Sequence, residues 1–111
     1  MKASDFCIIT TSTDSKENAD AITQKLLEKK LVACIQSSTI QSAYHWEGKI
    51  MRSEEILLQL KTKRELFKTI QEEIEKLHTY DVPEIILIPL EDANSSYLQW
   101  IGNETQDILT S

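Results

Sequence analysis

The chain has 111 residues, enough for one domain and too few for two, and 41% hydrophobic residues with only two glycines and two prolines mark it as globular. A formal charge of −6 argues against a nucleic-acid partner, because an acidic surface repels phosphate backbones. No apolar run approaches the roughly 20 residues of a membrane helix, Met1 to Asp5 lack the apolar core of a signal peptide, and two cysteines suit a reducing compartment better than a disulfide scaffold, so the expected location is the cytoplasm, away from membranes.

Phe6 to Thr11 is short, apolar and rich in β-branched residues, which predicts a buried strand. The polar run Thr11 to Ser15 ends it. Asp14, with Glu17 three residues on, has the pattern of a capping box. The helix that follows carries Ala19, Ile22, Leu26 and Leu27 at helical spacing. Lys29 and Lys30 close it, where cations suit the helix dipole.

Two long strands are expected next, Leu31 to Trp46 and Lys49 to Lys61, joined at Glu47-Gly48. Glycine takes the positive φ that a tight hairpin turn needs. Both runs exceed the usual strand length of about five or six residues. A hairpin that outgrows its domain leaves edge groups for another subunit to pair.

Thr62 and Glu65 repeat the capping-box pattern, and Leu66, Phe67, Ile70, Ile74 and Leu77 mark one face of a second helix. Glu72, Glu73 and Glu75 are assigned to its outer face, and His78 ends it. Val82 before Pro83 is driven to an extended conformation, and Glu84 to Leu90 reads as a strand. A third helix is expected from Ser95, with Tyr97, Leu98, Ile101 and Ile108 on its apolar side.

This order gives an α+β fold, a ferredoxin-like split βαβ with an extended hairpin between the second and third strands and an extra C-terminal helix. The whole chain, 1–111, reads as one domain without repeats or linkers. Two helices cover only one face of a four-stranded sheet. Yet Phe6–Ile9, Leu31–Ile35 and Ile85–Ile88 are apolar at consecutive positions, hence on both faces. Something must cover the second face, and with the long hairpin this argues for an oligomer.

No Walker loop, G-x-G-x-x-G, G-x-S-x-G or H-E-x-x-H motif is present, and no enzymatic activity is expected. The candidate metal pair is Cys34 and His78. Both helices of the split βαβ unit are expected to end at one edge of the sheet, which places this thiol and imidazole at the same end. Together they suit copper or another divalent cation. The plainer account is a small buried thiol and a helix-terminal cation. Tyr44, Trp46, Tyr80, Tyr97 and Trp100 can line a pocket, with Lys49, Lys61, Glu47 and Glu84 adding polar groups. Most such aromatics are core or interface anchors.

The segments Leu31 to Cys34, Tyr44 to Ile50, Leu60 to Thr62, His78 to Glu84 and Tyr97 to Ile101 resemble, nearly end to end, the signature of the CutA family, the divalent-cation tolerance proteins. The resemblance implies a tight homotrimer in which hairpin strands pair between subunits. It also implies a non-enzymatic role in metal tolerance. Copper binding has been attributed to Cys and His positions in some members, and Cys34 and His78 fall on such positions. A further metal-linked cysteine of some members falls at Thr10 here, with Cys7 three residues earlier. The family is also similar to trimeric PII-type sensors. That likeness implies an alternative, a metabolite or nucleotide bound in an inter-subunit cleft lined by Trp46, Lys49, Lys61, Tyr80, Glu84 and Tyr97. An acylphosphatase-like enzyme of the same topology ranks last, because Thr11 to Ser15 contains neither arginine nor glycine.

Overall fold

Strand β1 (Phe6–Thr13) is followed by helix α1 (Lys16–Glu28), the hairpin strands β2 (Cys34–Trp46) and β3 (Lys49–Lys63), helix α2 (Phe67–Leu77), strand β4 (Ile86–Pro89) and helix α3 (Ser95–Glu104). The computed structural model describes residues 2–107. Ile108, expected on the apolar side of α3, lies outside them. The four strands form one antiparallel sheet in the order β2-β3-β1-β4. This is the ferredoxin-like topology.

The two faces of the sheet differ in what covers them. Cys7 and Ile9 of β1, with Leu58 and Leu60 of β3, meet Ala19, Ile22 and Leu26 of α1 and Ile70 and Ile74 of α2 in the main core. A second, smaller core joins Phe6, on the opposite face of β1, to Leu98 and Ile101 of α3. Beyond it, among the described residues, no element covers the second face. Ile86, Ile88, Tyr44, Met51 and Trp46 are exposed there, with Trp46 at 58%.

The hairpin is as long as its pattern implies. All thirteen residues of β2 pair with β3, from Cys34↔Lys61 to Trp46↔Lys49. β1 joins β3 only from Ile56 onward. The seven rungs from Ile40↔Glu55 to Trp46↔Lys49 therefore project as a two-stranded arm, about 23 Å long at about 3.3 Å per residue. Glu47 (φ 50°) and Gly48 (φ 75°) form its two-residue tip, the paired positive φ angles of a type I′ turn.

Local boundaries depart from the sequence expectations in several places. Ser15, not Asp14, caps α1, its side chain accepting from the Asn18 amide at 3.1 Å. Thr62 is not a helix cap. It remains in β3, where its hydroxyl donates to the Leu31 carbonyl at 2.5 Å, and a 3₁₀ turn (Arg64–Leu66) leads into α2 instead. Leu27 is exposed rather than packed. β1 continues to Thr13 because Thr11, Ser12 and Thr13 find partners in Leu58, Leu57 and Ile56. β4 is shorter than expected, since β1 pairs with it only through Cys7–Thr10.

α1 ends in a Schellman motif. The Leu31 amide donates to the Leu26 carbonyl and the Lys30 amide to the Leu27 carbonyl, both at 3.0 Å. Lys30 takes the left-handed position (φ 56°) usually given to glycine. Glu73, expected on the outer face of α2, is buried at 7% exposure. It faces the end of α1 and pairs with Lys29 and Lys76. The Lys29 hydrogen bond is the largest influence on its carboxyl and, against the opposing cost of burial, holds it below the usual carboxylate range.

Candidate functional site

His78 follows the last turn of α2 and is fixed at both ring nitrogens. Nε2 lies 2.8 Å from the Ser12 carbonyl oxygen, and the Tyr80 amide donates to Nδ1 at 3.0 Å. A carbonyl only accepts and an amide N–H only donates, so the two bonds together require the neutral Nε2–H tautomer. Past Thr10 no strand among the described residues pairs with the β4 side of β1, and the imidazole supplies a partner to that edge. The Tyr80 ring packs on the imidazole at 4.7 Å between centroids.

Tyr80 reaches across to the arm. Its hydroxyl donates to Glu55 Oε2 at 2.6 Å, and Glu55 is buried at 8% exposure. Burial first, then the bond to Glu55, raises the phenol pKa, so Tyr80 stays a donor. Glu55 is the last arm residue before β1 joins the sheet.

Cys34 lies at the other end of the sheet, on the open face, as the direct partner of Lys61. The Lys61 ammonium sits over the Tyr97 ring of α3, 5.5 Å from its centroid, and Trp100 stacks on Tyr97 at 5.5 Å. Nearby, Lys63 holds the chain after α3 through the carbonyls of Thr105 (3.3 Å) and Gln106 (3.2 Å) and the Asp107 carboxylate (3.0 Å). Both cysteines are free, with β3 between them. Cys7 is fully buried, which pushes its thiol up to about 11 against a smaller opposing effect of Arg64.

These positions correct the expected metal pair. Cys34 pairs with Lys61, and Lys61 with Ile8, whereas His78 is bonded to Ser12, four residues further along β1. At about 3.3 Å per residue and about 4.8 Å per strand, the Cα atoms of Cys34 and Ser12 are about 16 Å apart. The two helices run in opposite directions, so α1 ends at the Cys34 end of the sheet and α2 at the other. One chain thus does not bring Cys34 and His78 onto one ion. Among the described residues no group of three or more His, Cys, Asp or Glu side chains is placed to hold a metal.

The six cleft residues are also distributed. Lys61 meets Tyr97. Trp46 and Lys49 are partners at the arm tip. Tyr80 binds Glu55, and Glu84 accepts a hydrogen bond from Thr10 at 3.0 Å. A single cleft using all six needs more than one chain. Ser12 and Glu55 were not singled out in the sequence. The signal for Glu55 is register, since it is the first β3 residue beyond the end of β1.

Comparison with known proteins places the chain among relatives. The family described as CutA1 divalent ion tolerance protein matches residues 7–104. The divalent-cation tolerance protein CutA of Pyrococcus horikoshii is 38% identical over 99 residues, 89% of this chain and 97% of that protein. The chloroplastic protein CutA 1 of Oryza sativa is 34% identical over 101 residues, 90% of this chain but 57% of that longer protein. The solved structure of the periplasmic divalent cation tolerance protein CutA from Archaeoglobus fulgidus superposes with a TM-score of 0.88 at 36% identity, covering 91% of this chain and 99% of that one.

Proposed function

The chain belongs to the CutA1 divalent ion tolerance family, and on that premise we propose that it is a non-enzymatic metal-response protein acting as a cytoplasmic homotrimer, with no nucleic-acid or membrane partner. The observation that carries the assembly is the open sheet face beside a thirteen-residue strand, β2, whose outer edge has no partner among the described residues. Exposed Trp46, Tyr44 and Met51 sit on that face, and such aromatics are common interface anchors. Other copies of the chain supply what would cover them. Two free cysteines suit a reducing compartment. Among the described residues no helix is long and apolar enough to cross a membrane.

Copper or another divalent cation is the proposed ligand, with Cys34 and His78 as separate donors. Each donor alone falls short of a closed coordination shell. Cys34 lies on the open face, so its remaining ligands come from a neighbouring copy or from water.

Native mass spectrometry with and without added copper tests this reading. The expected result is a trimer that takes up copper, with about one ion per subunit lost in Cys34→Ala and any remainder lost in His78→Ala. A bare monomer would remove the assembly, and a trimer that stays metal-free would remove the copper.

A further inference from the structure

The sheet register sets out the second face row by row, because side chains directly opposite one another point to the same side. Cys34, Lys61, Ile8 and Ile88 form one row, Gln36, Gln59, Thr10 and Ile86 the next, and Ser38, Leu57 and Ser12 a third. The charged groups near the middle row are engaged within the chain. Lys61 sits over the Tyr97 ring, Glu84 accepts from Thr10, and Glu55 accepts from Tyr80. Gln36 and Gln59 differ from them. They are direct partners, both are exposed, and neither carboxamide has a hydrogen bond among the described residues.

Such a surface selects its partner. A carboxamide carries two N–H donors and an oxygen with two lone pairs, so it is its own complement. A carboxylate or an ammonium meets a copy of itself as a like charge. At a formal charge of −6 copies of the chain repel one another, so a face that copies share needs its carboxylates already engaged. This face meets that condition, and it continues into the exposed Tyr44, Met51 and Trp46 of the arm. The occupant it fits is another copy of this chain. Once covered, a carboxamide that finds no partner loses its bonds to water and gains nothing in return. Only arrangements that bring the carboxamides of neighbouring copies face to face avoid that loss. Apolar residues such as Trp46, by contrast, adhere in many arrangements.

We propose that Gln36 and Gln59 form a polar layer that sets the register and number of copies in the assembly, while the arm supplies the adhesion. This rests on the self-assembly proposed above, though on no particular number of copies and on no metal. The role is that of a single polar residue in an apolar helical seam, which fixes the oligomeric state at a cost in affinity.

Native mass spectrometry and sedimentation of the full chain, wild type beside the Gln36→Leu/Gln59→Leu double variant, test it. Wild type should show one assembly size. Both changes lie on the surface of the single chain, so the double variant should fold. It should associate at least as tightly as wild type and divide among two or more assembly sizes. A double variant with the single size of wild type overturns the polar layer and leaves the assembly standing. A double variant that falls apart into monomers also overturns it, because the amides would then supply the adhesion. A wild-type monomer overturns the layer and the assembly together. A second measurement needs no substitution. In proton–nitrogen spectra of assembled wild type, exchange of the Gln36 and Gln59 carboxamide protons with water should be at least about tenfold slower than in the denaturant-unfolded chain. Exchange as fast as in the unfolded chain overturns the amide pairing.

Discussion

Strand β3 belongs to two environments, and the contrast between them is the most informative feature of the molecule. In its second half Leu58 and Leu60 are buried beneath α1 and α2. In its first half Ile50 is 70% exposed and Met51 is exposed as well. The strand does not change in kind at Glu55, but the layers that cover it stop. The body buries its own apolar residues, whereas the arm presents them. The two halves therefore report different properties, the body on folding and the arm on what the chain meets.

The sharpest test of that division removes the arm. Ile40 and Glu55 are direct partners, so replacing Gln41–Glu54 with Asn-Gly closes the hairpin at that rung with a two-residue turn. The expected product is a folded body that sediments as a monomer. If the shortened chain still sediments as a trimer, the assembly surface lies on the body. Next in size is the core. Leu60→Ala should destabilise the chain by about 2–5 kcal/mol, the range for deleting buried methyl groups, in denaturant unfolding. Trp46→Ala should leave the stability of the separated subunit within about 0.5 kcal/mol and act on association. Equal effects of both substitutions on the separated subunit would erase the distinction.

The division was legible in the sequence, but unevenly. Element order, turn position and the uncovered second face followed from periodicity, Glu47-Gly48 and the consecutive apolar runs. The relative positions of distant side chains did not. Cys34 and His78 were expected at one end because each follows a helix, yet α1 and α2 run in opposite directions and leave them at opposite ends. Glu73 was assigned to solvent as one of several glutamates. Only the packing of α2 against the end of α1 shows that it meets Lys29. Helix starts misled for a related reason. Thr62 has the sequence of a cap, but strand pairing and the Leu31 carbonyl claim it first.

Glu73 makes the body sensitive to acid. Its folded pKa is depressed, so its contribution to stability is fully present above the ordinary carboxylate range and is lost as pH falls through the folded value. Unfolding free energy measured downward from about pH 5 should fall less steeply in Glu73→Gln than in wild type. Matching slopes would mean that Lys29 does not engage it in solution. The smallest expected effect is a gain. Lys30→Gly should stabilise the body by about 0.5–1 kcal/mol by removing the left-handed strain at the end of α1. A loss of stability in thermal unfolding would show that Lys30 contributes more through its side chain than its backbone costs.

The two thiols give the molecule a built-in gauge. Cys34 is partly open to solvent, whereas Cys7 is fully buried and weakly acidic. A thiol reagent in excess therefore reacts with Cys34 in the native fold and reaches Cys7 only when β1 parts from its neighbours. When reclosing outpaces the reagent, the ratio of the two alkylation rates reads the open population of the central strand. It needs no denaturant and no engineered probe, and it works at the low concentrations at which subunits separate.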